Sequence, residues 1–231
     1  EHLADIKYYL LSSDCISLLH RHLGLNFVFQ IFPHLFDAIR STSTVLSEKA
    51  TDTIKHFGNR LPLSLTVQRI IYPLLNQLHK TENEITAQLL KHFVARVGAP
   101  IVEVHYIPFI MTLIQTRSTR AAQGEAVVLT ALSLIEDLLP QLPSKSVLKG
   151  FVLDSTQLMV LLLNATTSKV LYTLIGTLVK IAYHIGAEAT TEKLVPYLDQ
   201  FFSHYSHMQT GDTSGTDNIY TPEMAAMLYY Q

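Results

Sequence analysis

The sequence predicts an all-α fold, a right-handed stack of about five antiparallel helix pairs with no sheet. Three observations carry this. Four segments built around a proline read alike: Ile31-Phe32-Pro33-His34-Leu35, Ile71-Tyr72-Pro73-Leu74-Leu75, Tyr106-Ile107-Pro108-Phe109-Ile110 and Leu194-Val195-Pro196-Tyr197-Leu198. Apolar residues flank each proline at −2, −1, +2 and +5, the spacing of one buried stripe on a helix. The prolines lie 40, 35 and 88 residues apart, the last interval being two periods of 44. Secondly, Gly24, Gly58, Gly98 and Gly186 each follow an amphipathic run, where a left-handed helix end favours glycine. Thirdly, no stretch pairs alternating apolar residues with a hairpin turn.

Taken in order, the marks predict a helix near 2–23, then pairs at 26–40 with 44–57 and 64–80 with 83–97. Further pairs are predicted at 100–116 with 120–139 and 144–163 with 168–185, and a last helix at 190–205. A proline within a helix removes one backbone hydrogen bond and bends the axis, so four bent first helices are expected. The fourth unit is degenerate, because Val147 to Leu163 lacks the central proline while Pro140 and Pro143 break the chain just before it. Connections such as Ser41-Thr42-Ser43 are short and polar, and Thr81 with Glu84 reads as a capping box. Gln209 to Asn218 has no apolar residue, so a mobile polar loop is expected over 206–220. Thr221-Pro222-Glu223 resembles a helix start, and 221–231 is expected to form a C-terminal helix or to open a further repeat.

Composition narrows the function classes. Charged residues make up 16%, against about 25% in a typical soluble domain. Mean hydropathy is +0.23, yet the longest run without Asp, Glu, Lys or Arg, His22 to Phe36, has 15 residues. That is shorter than the roughly 18 apolar residues of a membrane span, so no transmembrane segment is expected, and membrane association only peripherally through a longer protein. A net charge of −2 argues against a nucleic-acid partner. Cys15 is the one cysteine, which excludes a disulfide framework and points to a reducing, cytoplasmic setting. A chain that opens at Glu1 without a signal peptide is expected to be a piece of a longer cytoplasmic protein.

Signals for chemistry are missing. Eleven histidines do not form a metal-ligand pattern: His20 and His22 point apart on a helix, and His204 with His207 has no supporting cysteine pair or carboxylates. Cys15, beside Ile16 and Leu18, reads as a small core residue. No nucleophile elbow, phosphate loop or dinucleotide turn occurs, so no enzyme activity and no cofactor are expected. Glu136 with Asp137 reads as a solvated pair near a helix end, and the triplet Asn164-Ala165-Thr166 matters only in a secreted protein. One constellation stands out. Position −2 from each helix-closing glycine is His22, His56, Arg96 and His184. Stacked repeats would align these four as a basic ladder. Cations near helix C-termini favour the negative end of the dipole, which accounts for them structurally. The functional reading is a contact strip for an acidic or phosphorylated protein partner, strengthening below about pH 6.5.

Helix pairs of about 40 residues with an apolar-x-Pro-x-Leu first helix resemble HEAT or armadillo-type repeats over residues 1–205. The match is to a divergent member, since Asp37 and Asp199 stand without a regular following arginine. The segments His22-Leu23-Gly24 through Phe32-Pro33-His34-Leu35, and Tyr220-Thr221-Pro222-Glu223-Met224-Ala225, are also similar to large trafficking scaffolds. Those combine a BEACH or kinase-like domain, a HEAT-type stretch and a WD40 propeller, and act on endosomes and lysosomes. The resemblance implies a non-catalytic protein-binding scaffold, on the cytosolic face of those membranes. The alternatives from the residues alone are a structural spacer between domains, or a helical small-molecule carrier.

Overall fold

The structure is a computed structural model that describes residues 9–80, 84–118, 121–153, 158, 161–162, 167–196 and 198–199. Among these the regular structure is entirely helical, and no strand occurs. The expected capping box at Thr81, the loop 206–220 and the segment 221–231 lie outside the described residues. The chain divides into two compact units, Glu1–Gly98 and Ala99–Gln231.

The first unit opens with α1, Ser13–Leu23. The Ser12 hydroxyl caps it by accepting from the Cys15 N–H at 3.3 Å, and Gly24 closes it at φ 78°. A left-handed residue there costs glycine nothing. Helix α2, Leu25–Ala38, carries Pro33 in its interior and buries Val28, Phe32, Leu35 and Phe36. Helix α3, Thr44–Arg60, returns alongside it, capped by Ser43. Ser47 ties the two by donating to the Ile39 carbonyl at 2.9 Å. Thr53 breaks the apolar stripe of α3 yet is wholly buried, because its hydroxyl donates to the Leu11 carbonyl at 2.7 Å.

Helix α4 is assembled from Leu63–Thr66, a π turn Val67–Ile71, and Tyr72–Lys80. The Tyr72 N–H reaches back five residues to the Val67 carbonyl, so the backbone widens immediately before Pro73. A proline in an unbroken α-helix clashes with the carbonyl four residues back, and the extra residue of a π turn relieves that crowding. Helix α5, Glu84–Val97, completes the unit, with Gly98 at φ 77° beyond it.

The second unit repeats these devices. Helix α6 runs as Ala99–Ile101, a π turn Val102–Tyr106 and Ile107–Ser118, so Pro108 also follows a π turn. Helix α7, Ala121–Leu138, packs against it and passes into a 3-10 turn, Leu139–Gln141. Helix α8 comprises Ser144–Val147 and a π turn, Leu148–Leu153. Helix α9, Ser168–Ile185, is capped by Thr167 and closed by Gly186 at φ 90°. Helix α10 begins with Ala187–Ala189 and the π turn Thr190–Leu194, followed by Pro196. A π turn also occurs in α8, which has no proline at the matching place in its described run, whereas Pro33 sits in α2 without one.

Three expectations are corrected. Gly58 does not close a helix, since α3 continues to Arg60 and stops at Leu61 before Pro62. The glycine is there for space: a Cβ on it would lie 2.4 Å from the Phe93 ring of α5. The last helix also begins at Ala187 rather than near 190, directly after Gly186. Glu136, read as solvated, instead accepts from the Thr177 hydroxyl at 2.9 Å and pairs with Lys180, joining α7 to α9.

Candidate functional site

The four ladder residues occupy different environments. His22 is exposed in the last turn of α1 and makes no hydrogen bond among the described residues. His56 is half-buried one turn before the end of α3, not at a helix terminus, because the helix runs past Gly58. Its Nε2 accepts from the Arg60 guanidinium, which can only donate, and stands 3.4 Å from the Ser17 hydroxyl of α1. The proton of the neutral ring is therefore on Nδ1. Burial, and then the Arg60 charge, lower the His56 pKa below its ordinary 6.5, with Asp14 partly opposing.

Arg96 and His184 share one arrangement on two different helices. Arg96 of α5 donates from Nη1 to the Asn59 carbonyl at 2.6 Å and from Nη2 to the Leu61 carbonyl. His184 of α9 donates from Nε2 to the Leu142 carbonyl at 2.8 Å, and its own carbonyl accepts from Ser144 at 2.8 Å. Leu61 and Leu142 each end a helical run and precede a proline. A helix end leaves its last carbonyls without intrahelical partners, and here α5 and α9 supply the donors. Arg96→Met, which keeps the bulk and removes the donors, is expected to lower stability by about 1 kcal/mol. Urea unfolding followed by circular dichroism measures it.

Within the first unit these contacts join a wider cationic edge. The Asn59 amide donates to His92 Nε2 at 3.3 Å, so His92 is also neutral with its proton on Nδ1. Burial and the Lys55 charge lower its pKa. Lys55, Arg60 and Arg96 have no carboxylate partner among the described residues. Of this edge, the sequence pattern found His56 and Arg96 but missed Lys55, Arg60 and His92. Arg60 lies one helical turn beyond His56, a signal legible only once α3 is known to continue past Gly58. His92 is brought to Asn59 by packing of α5 on α3, which no local pattern announces.

Other chemistry is not assembled here. Among the described residues no group of three or more His, Cys, Asp or Glu could hold a metal ion. No described helix is long and apolar enough to cross a membrane. Tyr106, wholly buried in α6, has its phenol pushed upward by desolvation and is a core residue.

No family model matches the chain. It is similar to the probable inactive serine/threonine-protein kinase lvsG of Dictyostelium discoideum, at 30% identity over 243 residues. The match takes in 98% of this chain and 11% of that protein. The chain therefore spans about a tenth of the length of the curated relative it matches.

Proposed function

We propose that the chain is a HEAT- or armadillo-type array of five helix pairs over residues 1–205, serving as a non-catalytic protein-binding scaffold within a larger protein. In this reading 206–220 is a polar linker and 221–231 opens a further helix. The parent is a kinase-like trafficking scaffold on the cytosolic face of endosomes or lysosomes. Similarity to a protein named a probable inactive kinase supports the kinase-like and non-catalytic parts of that reading. Recurrence of the π turn in α4, α6, α8 and α10 supports the repeat register. Binding is favoured over mere spacing by second-helix apolar side chains left in solvent, Val45 on α3 and Tyr172 and Tyr183 on α9.

The observation that carries the function is the cationic edge of the first unit. Uncompensated Lys55, Arg60 and Arg96 beside two neutral histidines suit an acidic partner surface. His22 would extend the edge at α1, and His184 is its counterpart in the second unit. Lys55, and the Arg60 N–H groups not spent on His56, are left to meet a partner, because Arg96 and His184 already serve carbonyls.

A fluorescein-labelled hexaglutamate peptide tests this by anisotropy. Binding is expected to weaken between 50 and 300 mM salt, as screening shortens the Debye length from roughly 14 to 6 Å. Lys55→Gln with Arg60→Gln should cost about 0.4–2 kcal/mol of affinity, at 0.2–1 for each exposed pair, with the melting temperature unchanged. His56 and His92 have lowered pKa values, so their added charge, and any tightening it brings, arises only below pH 6.5. Affinity indifferent to salt and to both substitutions would remove the edge as a contact surface.

A further inference from the structure

A second feature of the first unit, away from the ladder, has a more specific chemistry. Between α2 and α4 lies a cleft of about 420 Å³ lined by Phe29, Phe32, Pro33, Arg69, Pro73 and Asn76, with further residues at its ends. Phe32 is buried, and Phe29 is half-buried, forming an aromatic wall. The Arg69 guanidinium stacks over the Phe29 ring, 5.0 Å from its centroid. Asp37, the carboxylate in the cleft lining, is already held by Arg40 at 2.6 Å. Arg69 has no carboxylate partner among the described residues, and its charge is fixed in place by the ring beneath it. Gln77, also in the lining, ties the two helices by donating from Nε2 to the Phe36 carbonyl at 3.0 Å.

The two prolines add acceptors. Pro33 has no N–H to offer the Phe29 carbonyl one turn back. Pro73 follows a π turn in which the Tyr72 N–H reaches Val67, so it has none to offer the Gln68 carbonyl. Phe29, Pro33, Gln68 and Pro73 all line the cleft. Carbonyls that receive no N–H from a proline, an exposed amide at Asn76, an apolar wall and one guanidinium without a carboxylate partner ask for a ligand of mixed character. It must supply N–H donors in a row, apolar side chains and a carboxylate. A folded helix has its N–H groups occupied, and a free anion has none. An extended peptide offers all three.

We infer that the cleft between α2 and α4 docks an extended acidic peptide segment of a partner protein, with a peptide carboxylate on Arg69 and peptide N–H groups on the carbonyls that the prolines leave free. This rests on the scaffold reading and names a partner chemistry and a place for it. The site lies on first helices, whereas the cationic edge lies on second helices.

The test uses the whole 231-residue chain and three labelled peptides. One is Gly-Leu-Asp-Leu-Glu-Leu-Asp-Leu-Gly, one its Asn/Gln counterpart, and one the acidic peptide with N-methylated backbone amides. The acidic peptide is expected to bind about two- to fivefold more tightly than the amide counterpart, the factor one exposed ion pair supplies. N-methylation should weaken it further. Arg69→Gln should abolish the preference, and Asn76→Asp, which adds a repelling charge at the rim, should weaken the acidic peptide selectively. Both positions are exposed, so circular dichroism and melting temperature should be unchanged. An acidic preference that survives Arg69→Gln would place binding elsewhere and overturn the cleft while leaving the scaffold reading standing. No saturable binding by any of the three peptides would overturn it as well. Loss of hexaglutamate binding at the cationic edge is the separate failure that would count against the scaffold reading.

Discussion

Phe93→Ala is expected to lower the unfolding free energy by about 3–5 kcal/mol, the cost of deleting a large buried aromatic side chain whose site refills only in part. Phe93 is fully buried in α5, and its ring lies against the backbone of α3 at Gly58, where Ile70 of α4 also converges. Three helices meet on one side chain, so its removal opens a void that none can close without disturbing the other two. Urea unfolding of the wild-type and variant chains gives the difference. A loss below 1 kcal/mol would mean that the three helices close over the gap.

Gly58→Ala is expected to destabilise despite replacing a helical glycine, which on propensity alone would gain about 1 kcal/mol. The added methyl would sit 2.4 Å from Cε1 and Cζ of Phe93 and 3.0 Å from Cδ1 of Ile70. Overpacking of this kind costs about 1–3 kcal/mol. The size of the loss depends on how far the ring can move, and a double-mutant cycle reads that directly. Gly58→Ala should be damaging beside Phe93 and milder in a Phe93→Leu background. If it stabilises the chain in both backgrounds, propensity governs this position rather than contact.

How much of this was legible in advance varies with the range of the interaction. Helix positions were readable because proline, glycine and apolar spacing act within one or two turns. Gly24, Gly98 and Gly186 adopt positive φ where the pattern placed a helix end. Pro73, Pro108 and Pro196 each follow a π turn, and Pro33 stands inside α2. The π turns were not readable. They arise from how a backbone accommodates proline or its packing, and α8 forms one with no proline in the described run.

Gly58 shows why the same residue type carries two meanings. Its spacing matched the helix-closing glycines, but glycine is selected either by a positive φ or by a neighbour's approach. Only the position of Phe93, thirty-five residues later, separates the two. The ladder divides in the same way. Sequence register brought out His22, His56, Arg96 and His184 as a series, and dipole physics gave each a local reason to be basic. Packing assigned them different work. Arg96 and His184 reach the carbonyls of other helices ahead of Pro62 and Pro143, while burial and Arg60 lower the pKa of His56.

The sequence by itself determined the all-helical class, the order of the helices and the absence of a recognisable catalytic motif, because each depends on residues close together along the chain. Tertiary structure decided which cations are consumed in holding helix ends and which face solvent. It also decided that Arg69 meets Phe29 across α4 and α2, forty residues apart. Those outcomes depend on distances between helices, and such distances are set by the volumes of side chains such as Phe93 that fill the space between them.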